Sequence, residues 1–83
     1  MNMLDITEAK YIADYKFEIV FENGETGVVD LRAYAGRGGV FSRFADLGYV
    51  KQAYVNKDLG TICWPGNLDI APETLYRLSK SSL

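Results

Sequence analysis

With 83 residues, 48% of them hydrophobic and 24% charged, the chain has room for one domain, residues 1–83, and lies far from the charge-rich composition of disorder. A formal net charge of −2, with nine basic residues scattered along the sequence, argues against a phosphate-backbone footprint, so direct binding of nucleic acid is not expected. One cysteine excludes an intrachain disulfide, no apolar run approaches the roughly 18 residues of a membrane span, and Met1–Lys10 lacks a basic leader, so a cytoplasmic location off the membrane is expected.

In chain order, Leu4–Ala9 has moderate strand character and Ile12–Asp14 reads as a tight link. Tyr15, Phe17, Ile19 and Phe21 then alternate with Lys16, Glu18 and Glu22, the pattern of a half-buried strand. Asn23-Gly24 between two strand-like runs signals a type I′ hairpin, and Thr26–Leu31 is the returning strand. The first half is thus expected to be a three-stranded antiparallel meander.

Glycine fills three of the four positions Gly36-Arg37-Gly38-Gly39, so Arg32–Gly39 reads as a loop. Val40, Phe41, Phe44 and Leu47 recur at helical spacing, with Gly48 placed as a C-cap for a short middle helix. Tyr49–Val55 and Thr61–Trp64 read as two further strands around an Asn56–Gly60 turn. Pro65-Gly66-Asn67 is another turn, and Pro72–Ser79 is a helix opened by proline and Glu73, with Leu75 and Leu78 toward the sheet and Ser81–Leu83 fraying. The expected fold is α+β: a small antiparallel sheet of about five strands, one short middle helix and a C-terminal helix.

Chemistry is sparse. The sequence has no histidine, which removes the usual general base near neutral pH, and one cysteine cannot build a zinc site. Cys63 reads as an inert core thiol beside Trp64. Asp69 and Asp30 read as turn carboxylates that hydrogen-bond nearby backbone amides. No cofactor and no catalytic or metal residue is expected, and the chain is not expected to be an enzyme. Gly36, Arg37, Gly38 and Gly39, just before a helix, form a candidate anion-binding loop, although the P-loop Gly-Lys-Ser/Thr is missing.

Six tyrosines, four phenylalanines and one tryptophan are many to bury in so small a domain. Tyr34, Tyr49, Tyr54 and Tyr76 are open to either partial exposure or core placement. Surface Tyr and Trp commonly anchor protein interfaces, so Trp64, Asp69 and Tyr76 form a candidate partner-binding patch; the competing expectation is that Trp64 is a core anchor.

The run Ile62-Cys63-Trp64-Pro65-Gly66-Asn67-Leu68-Asp69-Ile70-Ala71-Pro72-Glu73-Thr74-Leu75-Tyr76 resembles the bacterial domain-of-unknown-function family 2442. Asp14-Tyr15, Phe21–Glu25, Val29-Asp30-Leu31 and Val40-Phe41 extend the likeness over nearly the whole chain. The resemblance implies a small antiparallel sheet with a C-terminal helix, like the amino-terminal domain of longer relatives that add a helix-turn-helix, and it implies no established activity. It further implies short stand-alone members encoded beside a second small protein, in toxin–antitoxin-like pairs. The glycine-rich Arg32–Gly39 segment departs from the family pattern.

Together these readings make a protein-interaction module the leading expectation, with a protein partner or a second copy of the chain as the ligand. The alternative is a small-ligand or anion-binding domain built on Gly36–Gly39.

Overall fold

The computed structural model describes residues 4–80. Strands β1 (Ile6–Ala13), β2 (Lys16–Phe21) and β3 (Thr26–Asp30) form an antiparallel sheet in the order β1-β2-β3. Phe17, Ile19, Phe21 and Val29 line its buried face, while Lys16, Glu18, Val28 and Asp30 are exposed on the other. On that outer face Lys10 stands opposite Glu18 and Lys16 opposite Asp30, two opposite-charge cross-strand pairs.

The meander is as expected, but β1 is longer than the sequence pattern suggests and its link to β2 is Asp14-Tyr15, not Ile12–Asp14. Register shifts between Ile6 and Glu8 and between Tyr11 and Ala13 interrupt the alternation that would have marked the strand. Asp14 makes the tight turn at a φ of 53°, a left-handed conformation that Asp tolerates. The second hairpin is also of a different type. Gly24 has a φ of 90° but Asn23 is not in the positive region, Gly24 N–H donates to Phe21 O, and Phe21 N–H donates to Glu25 O. This is a three-residue loop with glycine at its left-handed position, not a type I′ turn.

Beyond β3 the chain runs through α1 (Arg32–Ala35), a 3-10 helix (Gly39–Ala45) and α2 (Leu47–Val50). Arg32–Ala35 is therefore helical where a loop is expected from the glycines, which begin only at Gly36. The Asp30 carboxylate accepts the Arg32 N–H at 2.9 Å, the turn role assigned to it from sequence. Gly48 is not a C-cap: Asp46 caps α2 by accepting the Gly48 N–H at 2.8 Å. This helical turn absorbs Tyr49 and Val50, so the strand expected over Tyr49–Val55 shrinks to β4 (Tyr54–Asn56).

β4, β5 (Thr61–Trp64) and β6 (Leu68–Asp69) form a second antiparallel sheet, giving six strands in two sheets rather than about five in one. Ile6 N–H donates to Gly60 O at 2.7 Å and joins the two sheets. α3 (Pro72–Lys80) packs along β3, with Leu75 fully buried and Leu78 half-buried against the core. The approach is close at Gly27, where an added Cβ would stand 2.7 Å from the Ser79 Cβ. The fraying expected of Ser81–Leu83 lies outside the described residues.

One buried cluster joins Phe17, Ile19, Phe21 and Val29 of the first sheet to Phe44, Ile62, Trp64 and Leu75. Among the described residues no helix is long and apolar enough to cross a membrane.

Candidate interaction surface

The segment from α1 to α2 is built of short elements that cannot hold themselves together, since isolated helical turns are unstable in water. Aromatic packing holds it instead. Phe44, wholly buried, lies 4.8 Å from the Trp64 ring, 5.4 Å from Phe41, 6.1 Å from Tyr49 and 6.2 Å from Tyr34. The Tyr34 and Phe41 rings lie 4.7 Å apart, tilted by 48°. Two hydrogen bonds lock this ladder to β5 and the turn after it: Trp64 Nε1–H donates to Val50 O at 2.9 Å, and Tyr49 O–H donates to Pro65 O at 2.6 Å.

Gly38 and Gly39, at φ of 74° and 58°, turn the chain over the ladder into an exposed knuckle. Phe41 and Phe44 supply its inner side, which leaves Val40 at 73% exposure. The Arg37 guanidinium lies over Tyr34 at 4.5 Å and near Phe41 at 6.0 Å; that of Arg43 lies over Tyr49 at 4.8 Å. Arg43 also runs beside the Pro65–Asn67 turn, close enough that a Cβ on Gly66 would meet its Nη1 at 3.3 Å. Stacking on a ring immobilises a guanidinium while leaving its edge N–H donors facing water.

The structure corrects the partner patch read from sequence. Trp64 has no exposed surface, because the Phe44 and Phe17 rings and the Val50 carbonyl enclose it, and it cannot touch a partner. Asp69 is exposed, but β6 pairs its residue with Cys63 in extended backbone, and among the described residues its carboxylate makes no hydrogen bond of the turn type expected of it. Tyr76 is half-buried on Phe21, centroid to centroid 5.2 Å, and its O–H donates to Glu25 at 3.1 Å. Its contacts tie α3 to the β2–β3 hairpin rather than joining a patch with Trp64. Of the other tyrosines, Tyr34 and Tyr49 are buried and Tyr54 is exposed.

Cations cover five of the six tyrosines: Lys51 over Tyr11, Arg32 over Tyr15, Arg37 over Tyr34, Arg43 over Tyr49 and Lys80 over Tyr76. The aromatic excess is thus taken up by core packing and cation–π contacts.

Gly36, Arg37, Gly38 and Gly39 are all exposed and form the approach to the knuckle. The 3-10 helix behind them spans only Gly39–Ala45, too short for an appreciable dipole, so the charge here is the Arg37 side chain. Sequence reasoning missed Val40 as a surface residue. At α-helical spacing Val40 shares a face with Phe44 and Leu47, so the sequence carried no such signal; the 3-10 geometry, with about three residues per turn, aligns Phe41 with Phe44 and turns Val40 outward.

A family model described as protein of unknown function (DUF2442) matches residues 6–81. The chain belongs to this family. No curated protein and no solved structure matches it significantly.

Other chemistry in this DUF2442 chain is confined. Cys63 is buried, and burial first, then the negative charge of Asp69, pushes its thiol pKa up, away from the thiolate. Among the described residues no three His, Cys, Asp or Glu side chains are grouped to hold a metal ion. A depression of about 280 Å³ between the sheets is lined by Asp5, Ile6, Thr7, Glu22, Lys57 and Gly60, none of them a residue singled out from sequence.

Proposed function

We propose that this DUF2442 chain is a non-enzymatic protein-interaction module that works in the cytoplasm as one half of a two-protein, toxin–antitoxin-like or regulatory pair. Its partner docks on the knuckle formed by Arg37, Val40 and Arg43. The observation that carries this reading is Val40, a β-branched apolar residue 73% exposed at the tip of a segment that packing otherwise makes rigid. Interfaces favour an apolar contact on a pre-ordered base because little side-chain entropy is then lost on binding. The pairing with a second small protein rests on the family resemblance alone.

A photo-crosslinking amino acid placed at position 40 in the native host tests the surface, with position 28 on the outer sheet face as the control. A discrete protein adduct at position 40 and none at position 28 is expected. Adducts at neither position, from a chain that is folded and expressed, would remove the interaction reading.

A further inference from the structure

We infer that the knuckle recognises an acidic protein segment that carries an apolar side chain, its carboxylates meeting Arg37 and Arg43 and its apolar group meeting Val40. This rests on the interaction reading above and adds the chemistry of the partner.

Charge is partitioned unevenly along the chain. Residues 31–45 hold three of the nine basic residues, Arg32, Arg37 and Arg43, and none of the eleven acidic ones, which leaves six basic against eleven acidic residues elsewhere. Asp30 and Asp46 bound this stretch, so the positive charge is confined to the knuckle of a chain that is otherwise net acidic. Among the described residues the ion pair is Lys80–Glu25, and neither Arg37 nor Arg43 is paired with a carboxylate there.

The geometry suits carboxylates. A guanidinium presents N–H donors in a fork that matches a carboxylate edge, and cation–π contact already seats Arg37 over Tyr34 and Arg43 over Tyr49 before the partner arrives. Val40 follows the two glycines that turn the chain and precedes Arg43 by three residues, so charge and apolar surface fall within one short stretch. A purely acidic ligand would leave Val40 in water; an acidic segment with one Leu, Ile or Phe would use both features.

A nucleic-acid backbone has the right sign of charge but fits less well. Affinity for it grows with the number of phosphates neutralised, and two arginines on a knuckle over an acidic body offer few such contacts. Nor does a phosphate backbone supply an apolar group for Val40.

The test uses the full chain and three fluorescent probes: an Asp/Glu-rich peptide with one central leucine, a Lys-rich peptide with the same leucine, and an oligothymidine. Binding is followed by anisotropy and by the Nε–Hε resonances of the arginines. The acidic peptide should bind, shift Arg37 and Arg43 most, and weaken by about fivefold for each Arg→Gln replacement, the upper end for an exposed ion pair. Val40→Ser should weaken it further. Trp64 emission reports that each variant is still folded.

Equal binding of the Lys-rich peptide, or tighter binding of oligothymidine, would overturn the inference. So would unmoved arginine resonances at millimolar acidic peptide. If the position-40 adduct persists in that case, the partner is of other chemistry and the interaction reading stands; without the adduct both fall.

Discussion

Replacing Trp64 with alanine separates a structural role from a contact role, and the structure gives its size. The side chain has no exposed surface, packs against the Phe44 and Phe17 rings at 4.8 and 6.3 Å, and donates its only N–H to Val50 O at 2.9 Å. Truncating a buried aromatic costs about 3–5 kcal/mol through lost burial and the cavity left behind. Leaving the Val50 carbonyl unpaired adds about 1–3 kcal/mol. A chain of 83 residues has a total stability of about 4–12 kcal/mol, so the variant should lose at least about a third of it and, toward the lower end of that range, be unfolded at 25 °C. Urea denaturation followed by far-UV circular dichroism measures this directly, and wild-type emission from this single tryptophan should be blue-shifted. A Trp64→Ala chain that keeps the native spectrum and a midpoint near wild type would refute the burial argument and restore Trp64 as a surface residue.

Gly27→Ala should destabilise by about 1–3 kcal/mol, since its Cβ would press on Ser79; at about 4–8 °C of Tm per kcal/mol, differential scanning calorimetry resolves it, and Ser79→Gly should relieve part of the loss. The Lys80 ammonium and the Tyr76 hydroxyl, in that order, hold the Glu25 carboxyl below its ordinary 4.5, and the bond to Glu25 raises Lys80 above its ordinary 10.5. The Glu25 contribution is complete above pH 4.5 and lost as pH falls through the lowered value, while that of Lys80 is complete below pH 10.5 and lost as pH rises through the raised value. The tie between α3 and the hairpin is therefore strongest between those limits; amide protection near Tyr76, corrected for the slower intrinsic exchange in acid, should fall below pH 4.5, and the effect should be small because both charged groups are substantially exposed. Cys63, buried with a raised pKa, should react with an aromatic disulfide reagent at pH 8 only as fast as the chain unfolds; a fast native-state reaction would contradict its placement.

The parts of the fold legible in the sequence are those where one physical rule acts alone. β2 alternates cleanly because one face packs on the core and the other on water. α3 announces itself through Pro72 in its first turn and Leu75 on its buried side. β1 was obscured by its two register irregularities, which place apolar and polar residues out of phase. The region from α1 to β4 was misread for another reason: its short turns are fixed by long-range aromatic contacts, and no local window contains Phe44 and Trp64 together. Asp46 was an available N-cap signal, but Gly48 beside it reads equally well as a C-cap, and only the cap hydrogen bond decides between them.

The same distinction explains why the partner patch moved. Trp64, Pro65, Gly66, Asn67 and Leu68 are the most recognisable residues of the sequence, and each has a structural task. Trp64 fills the core, the Pro65 carbonyl receives the Tyr49 hydroxyl, Gly66 and Asn67 adopt φ of 93° and 66°, and Leu68 pairs with Trp64 across the sheet. They build the base on which the aromatic ladder rests. In the knuckle above it Val40 has no comparable packing duty, and Arg37 meets the ladder only from outside, over Tyr34 and Phe41, so replacing either side chain leaves the base intact. A motif specific enough to identify the family therefore specifies its foundation, and the docking surface proposed above lies on the glycine-flanked segment outside that motif.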